Sequence, residues 1–311
     1  MLWDAGVPRQ VLHYVAGSGE EAGAALVGHP RTAGIAFTGS FAVGMGIHRG
    51  FARDYPRPVV VEMGGKNPAI VTASADLDAA AEGVARSAFG FGGQKCSACS
   101  RVYIVAEAAP AFLAKLVEKS RGLALGNPLD RDTFLGPLIN ARALARYEDY
   151  VARLRGAGGE LLVGGRSRRD GELAHGYYAE PAVVHLEDRT SPFYGEEMFV
   201  PILVAATVSG LDEALELANR SSFGLTAGLF SRDAAEVERF FDGIEAGVLY
   251  VNRRSGATTG AWPGVNPFGG WKGSGGTGPA ALGPYYLLKF LREQSRTVNP
   301  VGGAEAGGAG P

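Results

Sequence analysis

The sequence predicts an α/β fold in about two domains, with a parallel sheet covered by helices on both faces. Short β-branched runs such as Val59-Val60-Val61 and Ile202 to Val208 alternate with stretches patterned as helices. Strands buried on both faces read as continuous apolar runs of this kind. The chain has 311 residues, 46% of them hydrophobic, which is enough for a sizeable core. Its longest apolar runs fall far short of the roughly 18 residues that a membrane span needs.

The elements follow in order. Val11 to Val15 reads as a short strand that ends in Gly17 and Gly19, and Glu20 to Val27 as a helix. Ile35 to Phe37 is a second strand, closed by Thr38-Gly39-Ser40, and a helix runs on to about Asp54. Val59-Val60-Val61, bounded by Pro58 and Gly64, and Asn67 to Val71 are two more strands. A helix is expected from Asp76 to about Phe91, then a strand from Arg101 to Val105 and helices over Ala108 to Arg121 and Asn140 to Arg155. Further strands are expected at Ile202 to Val208, Ala227 to Phe230 and Val248 to Val251, with helices at Leu211 to Asn219 and Ala234 to Ile244. Residues 253 to 284 are rich in Gly, Pro and Trp and read as ordered loops. The Gly/Ala-rich tail, 300–311, is expected to be disordered. Met1 to Ala5 leads straight into helix-like sequence with no earlier strand, so the chain reads as one that begins inside a domain.

A formal net charge of −2 gives no electrostatic reason to expect nucleic acid or an anionic membrane as a partner. The N-terminus shows no signal-peptide pattern, so the cytoplasm is the expected location. Two cysteines, Cys96 and Cys99, do not make a disulfide framework. A zinc site would need two more ligands, and the five histidines show no ligand spacing, so no metal is expected.

Cys96-Ser97-Ala98-Cys99 leaves other readings open. A thiol–disulfide pair would sit where a strand gives way to a helix, whereas here a helix precedes and a strand follows. Two inert buried cysteines are a common alternative. A single nucleophile is the third reading, and it needs a base. Glu62 is the base candidate, because it ends an apolar strand directly before Met63-Gly64-Gly65; alone, it would read as a solvated strand-end carboxylate. Gly17-Ser18-Gly19 with Gly23 approximates a dinucleotide fingerprint with one residue too many, so taken alone an ordinary strand-helix turn is the favoured reading. Gly39 and Ser40 could meet a phosphate at a helix N-terminus, or Ser40 could simply cap the helix. Glu196-Glu197-Met198-Phe199 could be surface charge beside one core aromatic. The glycine-dense Pro267 to Gly275 suggests a loop held tightly against something.

In order along the chain, Phe-Thr-Gly-Ser (37–40), Glu-Met-Gly-Gly-Lys-Asn-Pro (62–68), Gly-Gln-Lys-Cys (93–96), Leu-Gly-Pro-Leu-Ile (135–139), Glu-Glu-Met-Phe-Val-Pro (196–201) and Asn-Pro-Phe-Gly-Gly-Trp-Lys-Gly-Ser-Gly (266–275) resemble the aldehyde dehydrogenase superfamily. Gln-Lys-Cys-Ser-Ala-Cys-Ser-Arg (94–101), Thr-Gly-Ala-Trp-Pro-Gly-Val-Asn-Pro-Phe-Gly-Gly (259–270) and Arg-Glu-Gln-Ser-Arg-Thr (292–297) look most like its L-glutamate γ-semialdehyde branch, which serves proline breakdown. The implied fold is a partial Rossmann-like cofactor domain plus the α/β catalytic domain of that superfamily. The implied division is residues 1–66 for cofactor, 67–252 for the thiol domain, and 253–299 for a return to the cofactor and an oligomerisation region.

The resemblance implies NAD-dependent oxidation of an aldehyde to a carboxylate, with NADP left open. Cys96 would be the nucleophile, and Glu62 would activate the hydrolytic water. Ser40, Gly39 and Gly17 would lie along the cofactor, Glu197 would hold its nicotinamide ribose, and Phe199 would pack near it. Ser97, Gly260 and Ala261 would meet the substrate's α-carboxylate. A homo-oligomer is implied as well. Members of the superfamily extend further at the N-terminus, with a lysine segment for the adenosine ribose and an asparagine for the oxyanion. The chain is therefore expected to be a fragment or one half of a split enzyme, with a separately encoded N-terminal half as a possible partner.

Overall fold

The most apolar segments of the chain become the middle of one sheet. The computed structural model describes residues 1–256, 266–276 and 281–299. The first part holds a 3-10 turn at Arg9–Val11, a π turn at Gly19–Gly23, helix α1 (Ala24–Gly28), strand β1 (Ile35–Thr38), helix α2 (Phe41–Phe51) and strand β2 (Val59–Glu62). There follow β3 (Asn67–Val71), α3 (Leu77–Phe89), β4 (Cys99–Val105), α4 (Ala109–Arg121), α5 (Ala141–Gly156), β5 (Glu160–Val163), β6 (Ser167–Arg168), β7 (Tyr178–Ala179), β8 (Ala182–His185) and β9 (Ile202–Val208). The last elements are α6 (Leu211–Asn219), β10 (Phe223–Gly224), β11 (Thr226–Phe230), α7 (Ala234–Gly243), β12 (Val248–Val251), β13 (Trp271–Lys272) and a 3-10 turn at Tyr286–Phe290.

β1 and β2 pair in parallel as a separate two-stranded sheet. The seven-stranded sheet runs β12-β11-β3-β4-β9-β8-β5. Its neighbours are parallel except for the antiparallel edge strand β5. Alternate residues serve opposite faces, as a pleated strand requires. Ile70, Tyr103 and Val204 join one cluster with Tyr147 and Leu154 of α5, Leu215 of α6 and Phe240 of α7. Val71, Val102 and Leu203 join the other with Val84 and Phe89 of α3 and Phe112 and Leu116 of α4. Each fully buried Phe or Leu here contributes roughly 1.5–3 kcal/mol.

Helix starts follow side-chain capping. Asp76 accepts from the Ala79 N–H, Asn140 from Ala143 and Asp233 from Ala235. Each satisfies a donor that the first turn leaves free.

The N-terminal reading needs correction. Val11 to Val15 forms no strand; after the turn at Arg9–Val11 the backbone is irregular, with Val11 68% and Tyr14 93% exposed. No strand among the described residues pairs with it, and a lone strand leaves its backbone groups unbonded. The helix expected over Glu20 to Val27 is broken into the π turn and α1, with Ser18 accepting from the Glu21 N–H. β5, β8 and the short β6–β7 and β10–β13 pairs escaped the sequence reading. The expected tail, 300–311, lies outside the described residues. No helix among the described residues is long and apolar enough to cross a membrane.

Candidate active site

Glu62 ends β2, where its carbonyl accepts from the Gly39 N–H at 3.1 Å. The glycine-dense loop closes over it: Met63 donates to the Ser274 carbonyl at 2.8 Å, and Gly275 bridges Glu62. Gly275 has φ +122°, and a Cβ there would strike the Val61 carbonyl. The loop is thus held against β2, and the buried Ser274 hydroxyl accepts from the Gly224 N–H at 3.1 Å. Glu62 Oε1 is buried with no hydrogen-bond partner among the described residues. Burial pushes the Glu62 carboxyl up to about 7, opposed by the charge of Lys289 on the turn at Tyr286–Phe290. A carboxyl balanced there can take a proton at neutral pH and give it back.

Cys96 sits on the loop between α3 and β4. The chain leaves α3 through three left-handed residues, Phe91, Gly92 and Gly93. Phe91 pays for this conformation in strain and stands 80% exposed. Gly93 lies under the Val200 carbonyl, which a Cβ would approach to 2.5 Å. Burial, together with the charges of Glu62 and Glu197, raises the Cys96 thiol above its ordinary value. Only the N–H groups of Ser97 and Cys96 itself oppose that shift among the causes resolved. The sulfur is therefore a thiol at neutral pH and needs a base before it can act as a nucleophile. Cys99 is fully buried, its sulfur donating to the Arg101 carbonyl, and burial pushes it up to about 12. That makes Cys99 inert beside Cys96.

The paired glutamates divide their work. Glu196 is tied to α5 by Tyr150 Oη at 2.5 Å and Arg153 at 3.2 Å. Glu197 turns inward, where its Oε1 accepts from the Gly65 N–H at 2.9 Å. Its carboxylate lies where a Cβ on Gly64 would be. Burial raises Glu197, against the Gly65 N–H, Lys66 and Arg146. The buried apolar residue of this segment is Met198, whereas Phe199, at φ +55°, stays partly exposed.

Ser40 precedes α2 with its hydroxyl unused as a cap, although the helix N-terminus is open. A helix N-terminus left uncapped in this way has free N–H groups that suit an anion. The Gly39 N–H is already committed to Glu62, so it does not serve as a phosphate donor. Gly17 lies in the irregular stretch before the π turn. Two residues further on, Gly19 enters the lining of a groove of about 940 Å³, with Gly23, Val27, Ile35, Val43 and Ile47. Its apolar walls and missing side chains suit a flat ring. Ser97 is nearly buried next to Cys96, its carbonyl accepting from Thr226 Oγ1 at 3.5 Å. Gly260 and Ala261 lie outside the described residues.

Glu62, Cys96, Ser97 and Glu197 thus converge where the C-terminal end of the small sheet meets the N-terminal ends of β3, β4, β9 and β11. The sequence had placed Glu62 at a sheet's C-terminal edge, which holds only for β1–β2. It missed Asn67, Lys66 and Arg101. Arg101 is buried, and its guanidinium donates to the carbonyls of Lys66, Leu217 and Ala218 at 2.7, 3.2 and 2.7 Å. The last two belong to the C-terminal turn of α6, whose dipole favours a cation. The available signal was a polar triplet, Lys66-Asn67 and Arg101, inside two strands that otherwise read as core.

Residues 1–296 match the profile of the aldehyde dehydrogenase family. The chain is 40% identical over 306 residues to a 1-pyrroline-5-carboxylate dehydrogenase of Geobacillus kaustophilus, covering 97% of this chain and 57% of that protein. It is 38% identical over 304 residues to the Bacillus subtilis protein of the same name, covering 96% and 57%. A crystal structure of 1-pyrroline-5-carboxylate dehydrogenase from Thermus with bound NAD superposes with a TM-score of 0.85 at 39% identity, covering 93% of this chain and 55% of that one. The chain therefore spans a little over half the length of the curated relatives it matches. With the profile matched over nearly its whole length, it belongs to the aldehyde dehydrogenase family.

Proposed function

We propose that this chain carries the thiol half of an NAD-dependent aldehyde-oxidising site, with L-glutamate γ-semialdehyde as the substrate. The observation that carries the proposal is the pairing of Cys96 with Glu62. Burial and then the charge of Glu62 raise the thiol, while burial poises that carboxylate near neutrality.

Cys96 gives its proton to Glu62 and forms a C–S bond to the aldehyde carbon. The Cys96 N–H, already on the sulfur side, faces the resulting oxyanion. Bound NAD would supply the hydride acceptor, and Cys96 would then hold the acyl group as a thioester. Glu62 releases that first proton to solvent and then takes a proton from water. The resulting hydroxide adds to the thioester carbon, the C–S bond breaks, and the carboxylate leaves. Ser40 would hold the pyrophosphate, with Gly17 beside the groove for the adenosine end. Glu197 would hold the nicotinamide ribose, and Phe199 would pack beside it. Ser97, with Gly260 and Ala261, would meet the α-carboxylate, a reading supported by the names of the relatives. Residues 1–66 would serve the cofactor and 67–252 the thiol chemistry.

The partners are part of the proposal. β1 leaves one edge unpaired among the described residues, and the exposed Leu26 and Val43 line a groove with it. A separately encoded N-terminal half, rich in strands, would complete this sheet. Tyr285, Leu287, Leu288 and Phe290 present a second apolar surface, suited to self-association.

The test is NADH formation from L-glutamate γ-semialdehyde by the purified chain, alone and mixed with the N-terminal part of the Geobacillus relative. Turnover that disappears in Cys96→Ala supports the proposal. No turnover in either mixture would leave a non-catalytic binding role as the better reading.

A further inference from the structure

Three backbone carbonyls of the nucleophile loop are held by two side chains. Asn67 Nδ2 donates to the Cys96 carbonyl at 2.7 Å and to the Ala98 carbonyl at 2.9 Å. Thr226 Oγ1 donates to the Ser97 carbonyl between them at 3.5 Å. Asn67 is itself fixed, because its Oδ1 accepts from the Thr226 N–H at 3.0 Å. It is buried, it begins β3, and all its bonds reach other segments. Gly65 closes the other side, since a Cβ there would meet the Cys96 carbonyl at 2.6 Å and the Asn67 amide at 2.7 Å.

A peptide unit is planar, and its carbonyl and N–H point in opposite directions. The Cys96 carbonyl and the Ser97 N–H are the two ends of one such unit. Holding the carbonyl on Asn67 therefore fixes where the Ser97 N–H points, and that N–H favours the Cys96 thiolate. A carbonyl that accepts a hydrogen bond also makes its own N–H a stronger donor.

We propose that Asn67 is a positioning residue for the nucleophile: by gripping the Cys96 carbonyl it aims the Ser97 N–H at the sulfur and stabilises the thiolate. The inference rests on Cys96 being the nucleophile proposed above. Asn67 touches neither substrate nor cofactor in this account. Its importance follows from what else faces the sulfur. Glu62 from β2 and Glu197 from the segment before β9 both disfavour the thiolate, and Lys95, half-buried next along the chain, feels the sulfur's charge. With two carboxylates against it, the thiolate depends on those backbone donors.

The test follows alkylation of Cys96 by iodoacetamide against pH in the purified chain, with Cys96→Ala as the background for Cys99. One hydrogen bond to a charged group contributes about 1.5 kcal/mol, so Asn67→Ser moves the midpoint up by about one pH unit. The limiting rate at high pH stays near that of the parent. Asn67→Asp keeps the acceptor for Thr226 but sets a carboxylate against two carbonyls, and it shifts the midpoint the same way. A midpoint unchanged in a folded variant overturns the proposal. If neither variant folds, the Ser97 amide resonance of the parent chain decides. It moves with the titration of Cys96 and stays still in Cys96→Ala; an amide that ignores the sulfur overturns the proposal. A shifted midpoint without aldehyde oxidation would sink only the functional reading, and oxidation with an unshifted midpoint only this one.

Discussion

The backbone N–H of Gly65 donates to Oε1 of Glu197 at 2.9 Å, although 132 residues of chain separate them. On its other side Gly65 lies against the carbonyl of Cys96. One glycine thus sits between the nucleophile loop and the carboxylate proposed to hold the cofactor. The glycines of this motif admit parts of the protein itself to close range.

Gly65→Ala is expected to push the nucleophile loop away from β3. A displacement of about 1 Å at a reacting group can lower turnover by about a hundredfold. Overpacking of this kind also lowers stability by about 1–3 kcal/mol. Steady-state rates and urea melts of the two proteins give both figures. Parent-like turnover in the variant would show that the contact is not needed.

Glu62 sets two pH dependences. Its folded value, about 7, lies above the ordinary 4.5. Its contribution to stability is therefore full below about 4.5 and lost as the pH rises through about 7. Glu62→Gln is expected to flatten that part of the stability profile. The hydrolytic step has the opposite slope, rising through about pH 7 as the base loses its proton. Urea melts across this range, and single-turnover hydrolysis over the same range, check the two signs.

The cysteines should separate cleanly. Cys99→Ala keeps turnover and lowers stability by about 1 kcal/mol, because a small buried side chain is trimmed. Cys96→Ala keeps the fold and loses turnover. Thiol counting with an aromatic disulfide reagent should find one accessible group in the native chain, Cys96. Equal reactivity of both would contradict the burial of Cys99.

Arg101 is expected to matter for stability more than its neighbour Lys66 does. Arg101→Met removes the guanidinium from the buried carbonyls of Lys66 and Ala218 and leaves Leu217 only the hydroxyl of Tyr103, at a cost of about 3 kcal/mol. Lys66 Nζ is buried with no hydrogen-bond partner among the described residues, and burial beside Arg101 lowers it to about 7. The folded state disfavours its charged form, so Lys66→Met should gain stability below about pH 7, with the gain fading towards about 10.5. Urea denaturation near pH 6 and pH 9 tests both substitutions.

Most of the large sheet was legible because its central strands are buried on both faces and their apolar runs are continuous. β9, α6 and β12 fall where the pattern put them, and α3 and α5 start at the caps Asp76 and Asn140. The N-terminal stretch was misread because Val11 to Val15 has strand composition without a strand to pair with; pairing lies outside local sequence. Cys96 and Glu62 were legible as chemistry. Asn67 was not, since its role depends on Thr226, which lies 159 residues away. Glu196 and Glu197 looked alike in sequence, and only packing against α5 and Gly65 tells them apart.

The central claim is that Cys96 carries the acyl group and Glu62 clears it. Glu62→Gln, acylated with NAD and L-glutamate γ-semialdehyde at a pH high enough to ionise the Cys96 thiol without a base, together with the N-terminal part of the Geobacillus relative, should be returned to neutral pH, quenched over time and its peptides weighed. The account predicts a glutamyl adduct on the Cys96 peptide that outlasts the parent's by about a hundredfold or more. An adduct on Cys99, or one on Cys96 cleared as fast as in the parent, would contradict it.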